Sequence, residues 1–339
     1  MRSRIRILGG GWYGCHLART LLQRGHDVQL HEIEGSLFAG ASGGNPARLH
    51  MGFHYPRSKL TRAMCQDTHR DFMSVYGDLT RTIPVNVYAV AADRSHVDWG
   101  NYKQSLRGEV DFVEVERPAE LGLQNVEGAM LTGERHIVIR AARAFFEREL
   151  RGHVYFHIDP REYTAIPPGF DWTIDCTFCA RDAERIDRYE VCVTGLLAAR
   201  APGALGMAVT IMDGPFPSIY PWDQEAGLWS ITSALHTPIV RAQTWPEARA
   251  LLEQVTPTIA AEQVEKMREQ IRHYWPASWD LFRPVEQLVK IRAMPLSGAD
   301  ARLVDVVRTD ARSLRIRAGK IDAVMFAERH VVPLIEAAS

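Results

Sequence analysis

The sequence of 339 residues lacks any apolar run long enough to cross a bilayer. It also lacks the basic, apolar and small-residue regions of a secretory signal peptide, because a strand-like run begins already at Arg4. We therefore expect a cytoplasmic protein that makes no membrane contact.

An excess of charge of either sign is also missing, since 40 basic side chains face 41 acidic ones and the net charge is -1. Proteins that bind nucleic acid or anionic membranes carry a surplus of basic residues. The composition therefore argues against both partners. With 46% hydrophobic residues, the chain has enough apolar side chains for a large globular core.

Cysteine is scarce and its count of five is odd, which favours free thiols in a reducing compartment over a disulfide framework. Cys176 and Cys179 form a C-x-x-C pair, but no second Cys or His pair stands nearby at zinc spacing. We interpret the pair as core residues at a strand end and predict no metal site.

A glycine-rich turn close to the N-terminus is the most informative motif. Gly9, Gly11 and Gly14 form a G-x-G-x-x-G pattern, preceded by a strand-like run at 4–8 and followed by a helical pattern over 13–24. In this pattern the missing side chains allow a tight turn, close approach to a pyrophosphate and packing of the helix on its strand. The motif predicts a bound dinucleotide.

Glu32 follows a second predicted strand at 28–31, where an acidic side chain would accept hydrogen bonds from the ribose hydroxyls of adenosine. Its negative charge disfavours a 2′-phosphate and therefore NADP. NAD and FAD both remain compatible with this residue.

The loop over residues 40–57 combines small residues with concentrated polar chemistry. Its small residues permit close approach to a flat or phosphorylated ligand. The polar side chains that we single out as site candidates are Arg48, His50, His54, Tyr55 and Arg57.

The remaining patterns predict an α/β fold with two interleaved domains. Residues 1–84, 136–185 and 285–339 form a Rossmann-like dinucleotide-binding domain. Residues 85–135 and 186–284 form an α+β substrate domain, in which strands at 206–212, 217–222 and 227–234 indicate an antiparallel sheet. Helices are predicted at 59–76, 139–150 and 323–337, residues 245–274 are predicted to be predominantly helical, and strands are predicted at 289–294, 301–307 and 314–316.

The glycine turn, Glu32 and the Gly40-Ala41-Ser42 segment together resemble the FAD fingerprint of the D-amino acid oxidase and glycine oxidase superfamily. The resemblance is firm over about the first sixth of the chain and concerns the layout elsewhere. It implies that FAD is the dinucleotide, so that the Rossmann-like domain binds FAD. The cofactor-binding residues that it implies are Gly9, Gly11, Gly14, Glu32, Ser42, Asn45, Arg48, Gly319, Lys320 and Ile321.

The same resemblance implies a small-molecule substrate that bears a carboxylate. Arg292 stands where the family's strand arginine grips that group, and Tyr220 where the inserted sheet offers a tyrosine to it. The chain departs from the family at 175–180, at 295–302 and in the C-terminal turn, which lack expected glycine-containing patterns. No cysteine lies near Gly319 in the sequence, so we expect the flavin to be bound without a covalent link.

Four functions remain open at this point. The first is oxidation of a C–N bond in a small amine or amino acid, by hydride transfer to flavin N5 and reoxidation by O2. Arg292 and Tyr220 would anchor the substrate, and His50, His54 and Tyr55 are the other candidate catalytic residues. The second is flavin-dependent oxidation of a hydroxyl-bearing substrate, in which a histidine would serve as base. The third is an NAD-dependent dehydrogenase, and the fourth is a nucleotide-binding protein without turnover.

Overall fold

The computed structural model describes residues 2–159, 169–178, 180, 187–295, 304–317 and 319–337. The strands are β1 Arg4–Leu8, β2 Asp27–His31, β3 Arg48–Leu49, β4 Thr80–Arg81, β5 Val85–Ala91, β6 Phe112–Val115, β7 Val126–Thr132, β8 Arg135–Ile137, β9 Val154–Tyr155, β10 Trp172–Asp175, β11 Asp187–Ala199, β12 Met207–Met212, β13 Pro217–Asp223, β14 Leu228–Ser233, β15 Pro238–Ala242, β16 Phe282–Pro295, β17 Asp305–Asp310 and β18 Ser313–Arg317. The helices are α1 Trp12–Gln23, α2 Ala41–Gly44, α3 Lys59–Tyr76, α4 Trp99–Leu106, α5 Ile139–Glu149, α6 Trp245–Gln254, α7 Pro257–Tyr274, α8 Ser278–Leu281 and α9 Val324–Ala337.

A six-stranded sheet runs in the order β17-β18-β10-β1-β2-β9, and all its pairs are parallel except β17 with β18. Ile5, Ile7 and Leu8 are fully buried in β1, as expected for a strand covered on both faces. Helix α1 packs against β2, α5 and α9. The glycine turn joins β1 to α1, so it lies at the carboxyl edge of the parallel strands, where ligands of such sheets bind.

The second sheet has nine strands and is antiparallel except for the pair β5 and β12. Its longest pairing joins β11 to β16, with Glu190 directly opposite Arg292. A small third sheet, β3-β8-β4, places Arg48 opposite His136. Because β3 follows the glycine-rich loop and β8 follows β7 of the second sheet, this small sheet brings the loop against the second sheet.

The parallel sheet and the mainly antiparallel sheet confirm the predicted α/β class. The segment 245–274, predicted to be predominantly helical, forms two helices, α6 and α7. Pro257 has no N–H to continue a helix, and the Thr256 side chain caps α7 by accepting from the Ile259 N–H at 3.3 Å. The predicted domain boundary at 285 falls within β16, and the division into two domains stays a prediction.

Residues 301–303 of one predicted strand and Cys179 of the C-x-x-C pair lie outside the described residues. Within the described part of the chain, no helix is long and apolar enough to cross a membrane.

Candidate active site

The glycine turn leaves no room for side chains at two of its positions. Gly9 has φ +99°, and a Cβ there would lie 2.6 Å from the carbonyl oxygen of Cys176. A Cβ at Gly14 would lie 1.9 Å from the carbonyl oxygen of Gly9. Glycine at these positions therefore lets α1 start directly against the end of β1.

The N-terminus of α1 carries the partial positive charge of a helix end, and no acidic residue in its first turn offsets that charge. Gly11 at the N-cap has no side chain, so the loop supplies the cap. Ser42 lies close by and accepts from the Trp12 N–H at 3.1 Å. A helix end of this kind, beside a cradle of glycines, is suited to bind a pyrophosphate.

Glu32 lies at the end of β2 and closes over the same turn. Its Oε2 accepts from the Gly10 N–H at 2.5 Å and its Oε1 from the Glu34 N–H at 2.9 Å. Burial raises the pKa of Glu32 despite these hydrogen bonds. The structure thus places Glu32 beside the glycine turn, and its contact with a ribose stays a prediction.

Asn45 shapes the loop that leads from α2 to β3. Its Nδ2 donates to the carbonyl oxygen of Ala41 at 2.8 Å, and its Oδ1 accepts from the Ala47 N–H at 2.7 Å. Both ends of the amide therefore hold the loop backbone, and the predicted cofactor contact of Asn45 stays a prediction.

The predicted C-terminal turn lies against both the glycine turn and the polar loop. Gly319, Lys320 and Ile321 connect β18 to α9. The Tyr13 hydroxyl donates to the carbonyl oxygen of Lys320 at 2.5 Å, and the Lys320 ammonium lies 3.4 Å from the centroid of the Tyr55 ring. Three segments that are distant in the sequence therefore meet at Lys320.

The fold brings a cysteine to this turn although the sequence places none near it. Cys65 Sγ, on α3, lies 2.5 Å from Lys320 Nζ. Burial raises the pKa of Cys65 to about 12, so the thiol stays protonated at neutral pH. Burial alone would lower the pKa of Lys320, but Tyr55, Cys65 and Asp322 hold it above its ordinary value. The pair is therefore an ammonium beside a neutral thiol, which is a poor nucleophile.

The most unusual group in the molecule is a buried carboxylate, Glu134, between β7 and β8. It accepts from the Tyr88 hydroxyl at 2.5 Å and from the Met51 N–H at 2.7 Å. Its Oε1 lies 3.7 Å from Nδ1 of His50. Burial alone would raise the pKa of Glu134, but His50 and Tyr88 lower it below its ordinary value.

His50 is the imidazole that faces this carboxylate. Burial lowers the pKa of His50 to about 4, although Glu134 acts in the opposite direction. At neutral pH the pair is therefore a neutral imidazole beside an ionised carboxylate. A base oriented by a carboxylate is a recurring arrangement in enzymes that move protons.

The other aromatic candidates of the loop surround His50. The ring centroid of His50 lies 5.6 Å from that of His54 and 5.3 Å from that of Tyr55. The structure thus brings together His50, His54, Tyr55 and Lys320, all of which were predicted from the sequence.

Arg48 and Tyr220 lie next to each other in the same buried region. The Arg48 guanidinium carbon lies 4.2 Å from the centroid of the Tyr220 ring, and its Nη1 donates to Thr210 Oγ1 at 2.8 Å. The Tyr220 hydroxyl donates to the carbonyl oxygen of Arg135 at 3.3 Å. In this arrangement Tyr220 contributes its ring face to Arg48.

Arg292 is held by an acidic side chain of the neighbouring strand. Its Nη2 donates to Glu190 Oε2 at 2.6 Å, and Glu190 also receives Nε of the exposed Arg241 at 3.2 Å. The predicted contact between Arg292 and a substrate carboxylate stays a prediction, since Glu190 binds Nη2 while the buried Nε forms no hydrogen bond within the described part of the chain.

The sequence analysis missed the acidic and hydroxyl partners of these candidates. Glu134 stands in the ordinary-looking segment Gly133-Glu134-Arg135, and Glu190 lies in a strand that no pattern predicted. The missed residues that touch predicted ones include Cys65, Tyr88, Glu134, Glu190, Thr210 and Asp213, the last of which accepts from Nε of Arg57 at 2.6 Å.

The residues present fit a dinucleotide cofactor with a polar ring system. The glycine cradle and the N-terminus of α1 suit its pyrophosphate. Among the described residues, the buried polar atoms in this region that form no hydrogen bond include His50 Nδ1, His69 Nε2, Asn86 Oδ1, Arg292 Nε and Asp322 Oδ1. Buried polar atoms normally have partners, so such atoms indicate where a ligand binds.

Two fungal proteins resemble the chain over most of its length. FAD-dependent monooxygenase FPY4 of Fusarium mangiferae is 36% identical over 346 residues, which cover 98% of this chain and 91% of that protein. FAD-dependent monooxygenase kojA of Aspergillus flavus is 27% identical over 367 residues, with 98% and 85% covered. No family model matches the chain.

Solved structures with the same fold include amino acid oxidases. NikD, described as an unusual amino acid oxidase, gives a TM-score of 0.74 at 13% identity and covers 100% of this chain and 94% of its own. Glycine oxidase from Geobacillus kaustophilus gives a TM-score of 0.70 at 15% identity, with 99% and 95% covered. At these identities the likeness concerns the fold. Together with the fungal relatives and the glycine turn, it shows that the cofactor is FAD and that the chain belongs to the FAD-dependent oxidoreductases, with the fold of D-amino acid oxidase and glycine oxidase type proteins.

Proposed function

We propose that this protein oxidises a carbon that bears a hydroxyl group in a small substrate, with His50 as the base. The observation that carries the proposal is the neutral, buried imidazole of His50, 3.7 Å from the Glu134 carboxylate. An alcohol is a weak acid, so loss of a hydride from its carbon is helped by a base that takes the hydroxyl proton. A neutral amine requires no such base.

The chain's own residues account for the proton. His50 is unprotonated at neutral pH and can accept the hydroxyl proton of the substrate. The negative charge of Glu134 stabilises the imidazolium that then forms, and hydrogen bonds from Tyr88 and the Met51 N–H hold the carboxylate in place. Bound FAD supplies the hydride acceptor.

Oxidation of a C–N bond, the first hypothesis from the sequence, depended on Arg292 and Tyr220 as carboxylate ligands. Arg292 is ion-paired with Glu190, and the hydroxyl of Tyr220 is directed to the carbonyl oxygen of Arg135. Both residues thus have protein partners, so their contacts give the amine hypothesis no support.

A second candidate is monooxygenation, and the names of the fungal relatives favour it. Such a reaction transfers one atom of O2 to the substrate, releases the other as water and consumes two electrons from an external donor. It would also use the FAD site, and it differs from oxidation in the fate of O2.

The fate of oxygen and nitrogen separates the three reactions. The FAD-loaded protein is incubated under ¹⁸O2 with hydroxy acids, polyols, amines and amino acids, in parallel without an electron donor and with NADH or NADPH as the donor that monooxygenation needs. We expect one H2O2 per oxidised substrate, no ammonia and no ¹⁸O in the product. Label in the product would establish monooxygenation, and ammonia would establish amine oxidation.

A matched pair of histidine variants tests the role of His50. His50→Asn should lower kcat by about 100- to 10,000-fold while the protein retains FAD. The control is His16→Asn, since His16 is also buried beside a glutamate, Glu328, at 2.9 Å but touches none of the cluster residues. An unchanged kcat in His50→Asn would exclude His50 as the base.

A further inference from the structure

We infer that Arg48 is the anion-binding residue of the active site and that the substrate is a small hydroxycarboxylate. This inference rests on the proposed oxidation beside His50 and names the class of substrate. It assigns the substrate carboxylate to a residue that the sequence analysis placed with the cofactor, in place of Arg292.

The first argument is the charge of Arg48 in the interior. Arg48 is only 7% exposed, and its protein contacts are the hydroxyl of Thr210 and the ring face of Tyr220. Among the described residues, no carboxylate lies within ion-pair distance of its guanidinium. Exposed arginines such as Arg4, Arg24 and Arg329 do have carboxylate partners. A guanidinium stays charged when buried, and its desolvation is offset only by an anion or several hydrogen bonds.

The second argument is the contrast with two other arginines. Arg292, which is half-buried, lies opposite Glu190 in the sheet register and bonds to it at 2.6 Å. Arg62, which is buried, pairs with Glu109 at 2.6 Å. Both guanidinium groups have acidic protein partners, so Arg48 has the greater electrostatic demand for an anionic ligand.

The third argument is the position of Arg48 relative to the proposed base. Arg48 opens β3, and His50 follows that short strand directly, so the two side chains leave an extended backbone on the same face. The positive charge of Arg48 is one of the causes that depress the pKa of His50, after burial, which is consistent with their closeness. An anion held by Arg48 would therefore lie beside the imidazole.

The chemistry of the site favours a carboxylate over a phosphate. One guanidinium fork matches the single charge and planar shape of a carboxylate. A phosphate dianion would call for a second cation. Lys320 is nearby, but its ammonium already contacts the face of the Tyr55 ring and donates to the Cys65 sulfur.

Binding of an unreactive carboxylate tests this inference without turnover. The FAD-loaded protein is titrated with propionate, and the flavin absorbance reports binding, with 1-propanol and methylphosphonate as charge controls. We expect saturable binding of propionate, no comparable binding of 1-propanol and weaker binding of methylphosphonate. Arg48→Gln should raise the Kd of propionate by about 10- to 100-fold, since a charge-assisted contact is lost. Arg62→Gln, the control for removing a buried arginine, should leave that Kd within about twofold of the wild type.

Several results would overturn the inference. Wild-type affinity for propionate in Arg48→Gln, or a loss confined to Arg292→Gln, would place the anion elsewhere. Tighter binding of methylphosphonate, or no binding of propionate to the wild type, would reject the carboxylate. If Arg48→Gln fails to bind FAD, Arg48→Lys replaces it. This variant keeps the charge but loses the fork, and an unchanged Kd there would contradict bidentate binding. Because binding requires no base, loss of activity in His50→Asn tests the proposed function separately.

Discussion

Replacement of Glu134 by glutamine tests the base proposed for this enzyme most directly. Glu134→Gln keeps the shape of the side chain and removes its charge. The carboxylate is fully buried and lies 3.7 Å from Nδ1 of His50, so it stabilises the imidazolium that forms during proton transfer. With an effective dielectric constant of about 20, two unit charges at this distance attract by about 4 kcal/mol.

That attraction sets the scale of the expected effect. At 1.36 kcal/mol per factor of ten, loss of the full attraction would slow the step by about 1,000-fold. The amide dipole of glutamine retains part of the interaction, so we expect flavin reduction to slow by roughly 100- to 1,000-fold. Tyr88 and the Met51 N–H donate to different oxygens of Glu134, so the amide N–H2 opposes one of the two donors, which should cost about 1–3 kcal/mol of folding stability.

The assay is anaerobic stopped-flow reduction of bound flavin, with the unfolding temperature measured in parallel. Glu328→Gln is the control, because Glu328 pairs with His16 at 2.9 Å outside the cluster and should not affect the reduction rate. A reduction rate in Glu134→Gln within threefold of the wild type, with FAD bound, would refute the reasoning.

Three further predictions concern pH, cofactor binding and stability. Because the pKa of His50 is about 4, its basic form persists at higher pH, so kcat/KM should stay level from pH 8 to about 5 and fall below that. An acid limb near pH 6.5 would contradict this. Gly14→Ala would place a Cβ 1.9 Å from the Gly9 carbonyl oxygen and should abolish FAD retention, measured as flavin per protein, whereas Gly40→Ala meets open space and should retain it. Burial raises the pKa of Asp322 to about 6, above the value of about 4 in an unfolded chain, so folded wild-type protein loses stability as pH rises between these values. Asp322→Asn has no carboxyl group to titrate, so its free energy of unfolding in urea should rise relative to that of the wild type from about pH 4 to about pH 6. A difference between the two proteins that does not change with pH would contradict the raised pKa.

The cofactor side of the site was predictable because its requirements are local in the sequence. Gly14 is needed because of the carbonyl oxygen of Gly9 in the same strand-turn-helix unit, and Gly9 because the turn itself requires φ +99° there. The contact of Gly9 with the remote Cys176 carbonyl only adds to that local requirement. Helix α3 was likewise predicted with its observed bounds, since its apolar spacing is uninterrupted and Ser58 caps it by accepting from the Thr61 N–H. Patterns of this kind depend on neighbours a few residues apart.

The strands β7, β8 and β11 escaped prediction for the opposite reason. Strand β11 extends over Asp187–Ala199 and is stabilised by pairing with β16, almost 100 residues later. Its apolar and polar residues do not alternate regularly, so the sequence shows no strand pattern there. Pairing stabilises it nonetheless, because β-structure depends on cross-strand partners more than on the intrinsic preference of each residue. The acid Glu190 went unnoticed with the strand that carries it.

The same distance in sequence explains why Arg48 and Arg292 could not be ranked in advance. Both are single arginines at strand positions, and the resemblance alone favoured Arg292 for the substrate. Their difference lies in partners supplied by remote segments, since Glu190 neutralises Arg292 whereas Thr210 and Tyr220 give Arg48 no negative charge. We therefore expect the anion to bind to the arginine whose guanidinium has no protein carboxylate beside it, which is Arg48. By the same logic, Glu190→Gln should weaken the structural role of Arg292 without moving the propionate site, because the demand for an anion at Arg48 does not depend on that pair.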